Sequence, residues 1–577
     1  MKSSVRSLFT PVLAGAFIVG SSTWIAFANP YASAVINNAG TVSFILNEAA
    51  DNVKIISNGG ATTNDLGPLS TGTTTANLGI SGPFKVVVSK SGTGTYAQIS
   101  SDTNLLNKFF LPRGVAVNRN PASPSFGRIY VSNGREGTTA SPTRPTEDGI
   151  YLLNADQTDA IGQGNTARTA GIAFTAGAPG TASPYRITLG LDDHLYICDW
   201  SDASGNLYVA DGNVTTNQFV LKPLSAPGAA ILPVGLDNNH GSVAAVAIGG
   251  TVAGGDLVVF AVDEDLQSDR ETSAATELNS LWKYSIGAGP LPFTGFDVIA
   301  SPIKLLTPRI ASLSQTMDTV RGGESNYLYV SNLRSVGNEP GVYIADADGN
   351  AITNSLDATR EFTGDPAATD ILNNTGAIDL SADGKLLATL KLNGIVIVVP
   401  LIDGIFDFAN RVQFTASTSS NNRDIAFDAA NNVYIVNSTA EYLRVISPGG
   451  TTVATTGSDG TFSITAPETT VKVVATDDSA SEAGLDPGEF TITRTGDLTS
   501  PLSISLTVTG TATNGVDYVA LTNVAVIPPG TNSVKMLVTP ITDSLSELTE
   551  TVVLTLQGST NYSAVSPASS TVTIVDD

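Results

Sequence analysis

A short strand phrase that recurs six times constrains this chain more than any other feature. Residues 128–133 alternate through Ile129, Tyr130 and Val131, end on the turn former Asn133, and follow the apolar run from Gly114 to Asn118. The same pair of runs returns with second strands starting at His194, Asp256, Tyr327, Lys385 and Asn432, at spacings of 66, 62, 71, 58 and 47 residues. Each copy extends to four strands. In the second these are residues 186–192, 194–199, 206–210 and 219–221, and in the sixth 425–428, 433–436, 442–446 and 452–455. One four-stranded sheet has two open edges and a half-buried face, whereas six packed radially bury those faces against one another. A drifting, strand-only period of this length predicts a six-bladed β-propeller over residues 105–455 rather than a helical solenoid. A seventh, degenerate blade remains an alternative.

At 577 residues the chain exceeds a single core, so two to four domains are expected. Fifty-five glycines and the absence of a long 3.6-period apolar stretch argue for an all-β protein. The net charge of −24 disfavours nucleic acid and anionic membrane as partners and favours cations. Residues 1–28 read as a secretory signal: Lys2 and Arg6 open it, an apolar run follows, and Ala26-Phe27-Ala28 is a small-x-small cleavage site. An uncleaved anchor is the alternative, which that site argues against. No later segment is apolar for long enough to span a bilayer. Cys198 is the only cysteine, so no intrachain disulfide forms, and its place inside a strand predicts a buried, inert thiol. A secreted chain without disulfides is stabilised by core size or bound metal.

Residues 29–104 form a first unit, with strands at Val42–Leu46, Val53–Ile56 and Phe84–Val88 around a Gly/Thr/Ser-rich connection. The pattern resembles the Ig-like domain of flagellar hook-capping and other bacterial surface proteins, which implies a small spacer β-sandwich. In the repeat region, the runs Pro112 to Asn118 and Asn432 to Asn437 resemble NHL-type propeller repeats. Residues 456–469 are rich in Thr, Ser and Gly and read as a linker.

Residues 470–577 open with Val471 to Asp477 and Ser481-Glu482-Ala483-Gly484. They continue through Phe490 to Gly496, Gly510 to Tyr518 and Ile527-Pro528-Pro529-Gly530, and close with Glu547 to Leu556 and Val572 to Asp577. In order and spacing this resembles a Calx-beta domain, which implies a seven-stranded sandwich. The segment holds three Lys/Arg against twelve Asp/Glu, and almost all the acids lie at strand ends, where a sandwich can bring them to one pole. Carboxylates about 4 Å apart repel by roughly 1 kcal/mol in water and about 4 kcal/mol at an effective dielectric of 20. A hard divalent cation relieves this, and Ca²⁺ accepts six to eight oxygens in a flexible cage. The resemblance places Glu482, Asp517, Asp543, Glu547, Glu550, Asp576 and Asp577 on calcium-ligand positions. Thr542 stands where fuller sites carry an acid, and a third terminal Asp is missing, which implies one or two ions. The alternative is a degenerate domain whose acids are merely solvated.

Other candidate chemistry is sparser. Asn133, Asp199, Asp263, Asn332 and Asn437 close the second strand of five copies; turn capping explains them, with an oxygen-rich cation ring as the alternative. Asp263, Glu264, Asp265, Asp269 and Glu271 crowd one loop, either solvated or a second calcium site. Arg113 and Arg423 precede the innermost strand of the first and sixth copies, which a closed ring makes neighbours. They are either an anion site at the channel mouth or ordinary loop ion pairs. His194 and His240 are the only histidines and both read as structural, and no nucleophile, zinc-protease, Walker or dinucleotide motif is present.

The expectation is a secreted, non-enzymatic, calcium-binding cell-surface or matrix protein. Its propeller recognises an extracellular protein or glycan, and its terminal module is stiffened by Ca²⁺. The rival classes are a propeller hydrolase or lactonase with a channel-bound cation, and the N-terminal part of a longer adhesin.

Overall fold

The computed structural model describes residues 30–90, 96–162, 164, 166, 183–199, 207–221, 243–263, 280–292, 297–298, 312–315, 327–333, 340–448, 452–465, 469–496, 498, 501–542, 548–557, 562–564 and 567–576. The segment read as a signal, residues 1–28, lies outside them, as do His240 and the acidic residues Glu264, Asp265, Asp269 and Glu271. Among the described residues no helix is long and apolar enough to cross a membrane.

All six recurrent strands form. They run Ile129–Asn133, Leu195–Cys198, Leu257–Asp263, Tyr327–Ser331, Leu386–Lys391 and Val433–Asn437, each antiparallel to the run before it. Their apolar alternation is buried on both faces: Tyr130, Tyr196, Tyr329 and Tyr434 are all shielded from solvent. Such two-sided burial suits sheets stacked face to face. Cys198 is fully buried, and burial pushes its thiol far above the ordinary range, as an inert packing residue requires.

The first strand of each sheet touches the first strand of the next. These strands are Pro112–Val117, Ile187–Leu189, Val243–Gly249, Ser312–Gln315, Thr375–Leu380 and Asn422–Phe427, and the last of them returns to touch the first. A polar contact spans each adjacent pair. Ser132 Oγ donates to Tyr185 O, Thr188 Oγ1 to Val246 O (3.1 Å), and Lys283 Nζ to Asp348 Oδ1 (2.8 Å). Tyr329 OH donates to Gly404 O (2.6 Å), Phe427 N to Asp379 Oδ2 (2.7 Å), and Val115 N to Asp424 Oδ2 (3.0 Å). Between the fourth and fifth sheets a helix, Ser355–Thr363, is capped by Asn354, whose side chain accepts from Asp357 N.

Two boundary expectations are corrected. The outer strand of the sixth sheet is Ala97–Gln98, paired with Tyr442–Ser447, not residues 452–455. Thr452–Gly457 instead pairs with Phe84–Lys90 and with Phe462–Thr465, inside a five-stranded sheet that also holds Ala50–Ser57 and Thr62–Leu69. The stretch read as a linker from residue 456 is therefore largely strand, and the first unit is built from both sides of the six-sheet region. Pairing removes otherwise open sheet edges at both places. A second sheet, of Ala32–Asn38, Thr41–Leu46 and Gly72–Asn77, packs on the five-stranded one around Val42, Phe44, Val53, Ile55, Phe84, Val86 and Val88. Tyr31, Phe126 and Phe462 form a three-ring cluster with centroids 5.3–5.8 Å apart, joining this unit to the first repeat sheet.

Candidate functional site

The C-terminal segment folds into two packed sheets. One holds Ser533–Val538, Gly488–Arg494, Thr470–Asp477 and Ser563–Ala564; the other holds Ser479–Ser481, Ser569–Val575, Glu550–Leu556, Leu502–Gly510 and Val524–Ile527. Val473, Phe490, Ile492, Ile504, Val552, Leu554 and Val572 fill the space between them. The alternation of these apolar residues leaves most of the described acids at strand ends or in loops, with Glu489 the second residue of its strand.

Register then decides which ends meet. Ser481 pairs in parallel with Val575, and Glu482 N donates to Val575 O at 3.0 Å. Asp576 follows Val575, and Glu550 stands opposite Ile574 in the antiparallel pair. Glu482, Glu550 and Asp576 thus occupy one end of three adjacent strands, with neighbours about 4.8 Å apart. Glu482 is almost fully buried there. The loop of Asp517 reaches the same end, because Ala512 N donates to Thr551 O (3.1 Å) directly after Gly510. Gly510 has φ +136°, and a Cβ would sit 2.0 Å from Thr551 O, so only glycine admits this crossing. Asp517 Oδ2 accepts from Thr513 N (2.6 Å), and its carbonyl accepts from Ile541 N (2.9 Å). That bond ties it to the connection bearing Asp543 and Glu547, which lie outside the described residues with Asp577.

Cations sit elsewhere. Arg494 pairs in register with Val471, beside Lys472, at the far end of Thr470–Asp477, and donates to the carbonyls of Thr531, Leu498 and Pro528. Lys535 Nζ meets Glu489 at 2.9 Å. Among the described residues no three acidic, His or Cys side chains converge closely enough to hold a metal ion. What the pole offers is carboxylate oxygens at the ends of adjoining strands, with Arg494 at the opposite end of Thr470–Asp477. That donor set fits a hard divalent cation such as Ca²⁺.

The six-sheet region holds a second charged locus, along its inner strands. Arg186 Nε lies 3.4 Å from Asp424 Oδ1, and Arg119 Nη1 lies 3.5 Å from Asp379 Oδ2 and donates to Leu380 O. Burial raises both carboxyls, Asp424 to about 7, against the opposing pull of the arginines. Sequence reasoning passed over these four residues. Their signal was present, since each is a charge within or beside an otherwise apolar inner strand.

Arg113 and Arg423 fall at bulges of the first and sixth inner strands, between Pro112 and Gly114 and between Asn422 and Asp424. The Arg423 charge is among those that act on Arg113. The strand-closing amides are structural: Asn133 Oδ1 accepts from Leu111 N (2.8 Å), and Asn437 Oδ1 accepts from Thr439 N and Ala440 N (2.8 and 2.6 Å). His194 is exposed at a turn beside Asp192, its ring 3.2 Å from the carboxylate.

The C-terminal segment is a two-sheet β-sandwich with an acidic pole. Residues 464–577 match the Calx-beta domain model. The apo-form Calx CBD1 domain is similar at 23% identity over 19% of this chain and 98% of that one, with a TM-score of 0.17. The calcium binding domain CBD12 of CALX1.1 is similar at 24% identity over 18% of this chain and 44% of that one, with a TM-score of 0.16. A structural genomics protein of unknown function from Bacteroides thetaiotaomicron VPI-5482 aligns at 12% identity over 73% of this chain and 98% of that one, with a TM-score of 0.35. No curated protein matches the chain.

Proposed function

We propose that the chain is a secreted, calcium-binding surface or matrix protein that acts by binding rather than by catalysis. In this reading the six sheets are the blades of a six-bladed β-propeller fastened by Ala97–Gln98, and one end of the ring recognises an extracellular protein or glycan. The N-terminal unit is an Ig-like spacer, and residues 1–28 are removed on secretion. The C-terminal sandwich binds Ca²⁺.

The observation that carries this reading is the shared register of Glu482, Glu550 and Asp576 beside the Asp517 loop, in a segment matching the Calx-beta model. Those four residues would hold the ion, with Asp543, Glu547 and Asp577 as further ligands. Bound Ca²⁺ supplies positive charge that offsets carboxylate repulsion and locks the strand ends together. The pairing of the inner-strand carboxylates Asp379 and Asp424 with Arg119 and Arg186 supports recognition over a channel-cation hydrolase.

Thermal melts of the full chain in EDTA, Mg²⁺ and Ca²⁺ test the reading. A hundredfold excess of Ca²⁺ over its dissociation constant adds about 2.7 kcal/mol to a domain that binds only when folded. That raises one transition by several degrees, and Mg²⁺, which demands tight octahedral geometry, does much less. Superimposable curves would reduce the pole to a solvated surface.

A further inference from the structure

We propose that the arginine-bearing end of the six-sheet ring binds a small oxyanion, the carboxylate or phosphate group of a ligand, through Arg113 and Arg423. This deepens the recognition role proposed above and rests on it.

Burying a cation without a counter-charge is costly, and Arg113 is such a cation. Its Nε is buried with no hydrogen-bond partner among the described residues. Its guanidinium stands over the Tyr185 ring, 5.7 Å from the centroid, on the neighbouring sheet. The charged side chains acting on it are Arg423, Arg186 and Arg135, and together with burial they lower its pKa to about 10. Of these, Arg186 is matched by Asp424. Arg423 is oriented by neutral groups, with Nε donating to Ser438 Oγ (3.0 Å) and Nη2 to Asn421 Oδ1 (3.3 Å). Its backbone is fixed from the ring interior, where Arg186 Nη2 donates to Arg423 O (2.9 Å). Arg135, exposed beyond the strand end, lies over Phe110 with its guanidinium 5.4 Å from the centroid.

Two bulges at matching register thus place an arginine on each of two touching inner strands, in a chain whose net charge is −24. Among the described residues their side chains contact aromatic, hydroxyl and amide groups and no carboxylate. An oxyanion supplies the missing charge, and the planar guanidinium fork matches carboxylate and phosphate oxygens in pairs.

Calorimetric titration of the metal-stripped full chain with sodium phosphate, sodium succinate and sodium chloride, at matched ionic strength, tests this. Saturable heat is expected from phosphate or succinate and none from chloride, and the tighter of the first two identifies the oxyanion. Arg113→Gln and Arg423→Gln are each expected to weaken binding at least about tenfold, and Arg113→Lys, which keeps the charge and loses the fork, by less. Should Arg113→Gln not fold, Arg423→Gln decides, because its side chain is held only by Ser438 and Asn421 on its own sheet among the contacts of the described residues. Identical heats from the three salts, or parent-like binding by both glutamine variants, would overturn the proposal. An unchanged melting curve in the same samples would mean that the ring itself stands without the anion site.

Discussion

Arg186 Nε lies 3.4 Å from Asp424 Oδ1, an ion pair between the second and sixth sheets that passes over the first. Gly114 makes room for it: a Cβ there would stand 2.8 Å from Tyr185 O and 2.9 Å from Arg186 Cα. Arg186 Nη2 also donates to Gly376 O (2.8 Å) on the fifth sheet, so one guanidinium ties the second, fifth and sixth sheets together. Removing it strands a buried carboxylate. Arg186→Met is therefore expected to destabilise the six-sheet region by about 3–5 kcal/mol, and Asp424→Asn in the same chain to restore part of the loss. Gly114→Ala is expected to cost about 1–3 kcal/mol through overpacking. Denaturant melts of the four chains check this.

Asp428 gives the region a pH dependence of fixed sign. Burial raises its carboxyl to about 6, although Asn432, Ala430 and Tyr434 all hydrogen-bond to it. A free aspartate titrates near ~3.9. The folded state therefore holds the proton more tightly, and the contribution is full below about pH 4, falls between about 4 and 6, and is constant above. The loss across that window is about 2–3 kcal/mol. The difference in stability between the parent and Asp428→Asn, followed from pH 4 to 7, should carry that slope; parallel profiles would contradict it.

The first unit depends on strands that come more than 360 residues later, since Thr452–Gly457 lies beside Phe84–Lys90. A chain ending at Pro448 lacks Thr452–Gly457 and Phe462–Thr465 and leaves Phe84–Lys90 as an open edge. Residues 30–90 of that chain should be cut by protease at concentrations the full chain withstands. Phe462→Ala, which empties one ring of the Tyr31–Phe126–Phe462 cluster, should cost about 3–5 kcal/mol at full burial and less at this half-buried position.

The recurrent strands were legible because each is a short, largely apolar run bounded by turn residues, as Tyr327 to Ser331 is. The strands Thr62–Leu69 and Gly72–Asn77 were not, because half-exposed threonines and glycines carry a turn-like composition without an apolar period. Nor was the swap between Ala97–Gln98 and Thr452–Gly457. A two-residue strand has no period, and which edge a strand joins is settled by distant partners. At the acidic pole the sequence marked strand ends correctly for Glu482, Glu550 and Asp576, since register follows from the apolar alternation of the strands that precede them. The inner pairs Arg186–Asp424 and Arg119–Asp379 join residues 238 and 260 positions apart, a separation no local pattern encodes.

Calcium titration of the metal-stripped full chain by calorimetry, run beside a chain carrying Asp517→Asn and Asp576→Asn, decides whether the acidic pole binds the ion. Saturable Ca²⁺ binding at one or two sites is expected. The response to Mg²⁺ should be weaker by about tenfold or more, and the substituted chain should lose binding without losing its fold, because the two changes remove repulsion together with ligands. Heats no different from those of Mg²⁺ at equal ionic strength, or equal binding by the substituted chain, would contradict calcium binding at this pole.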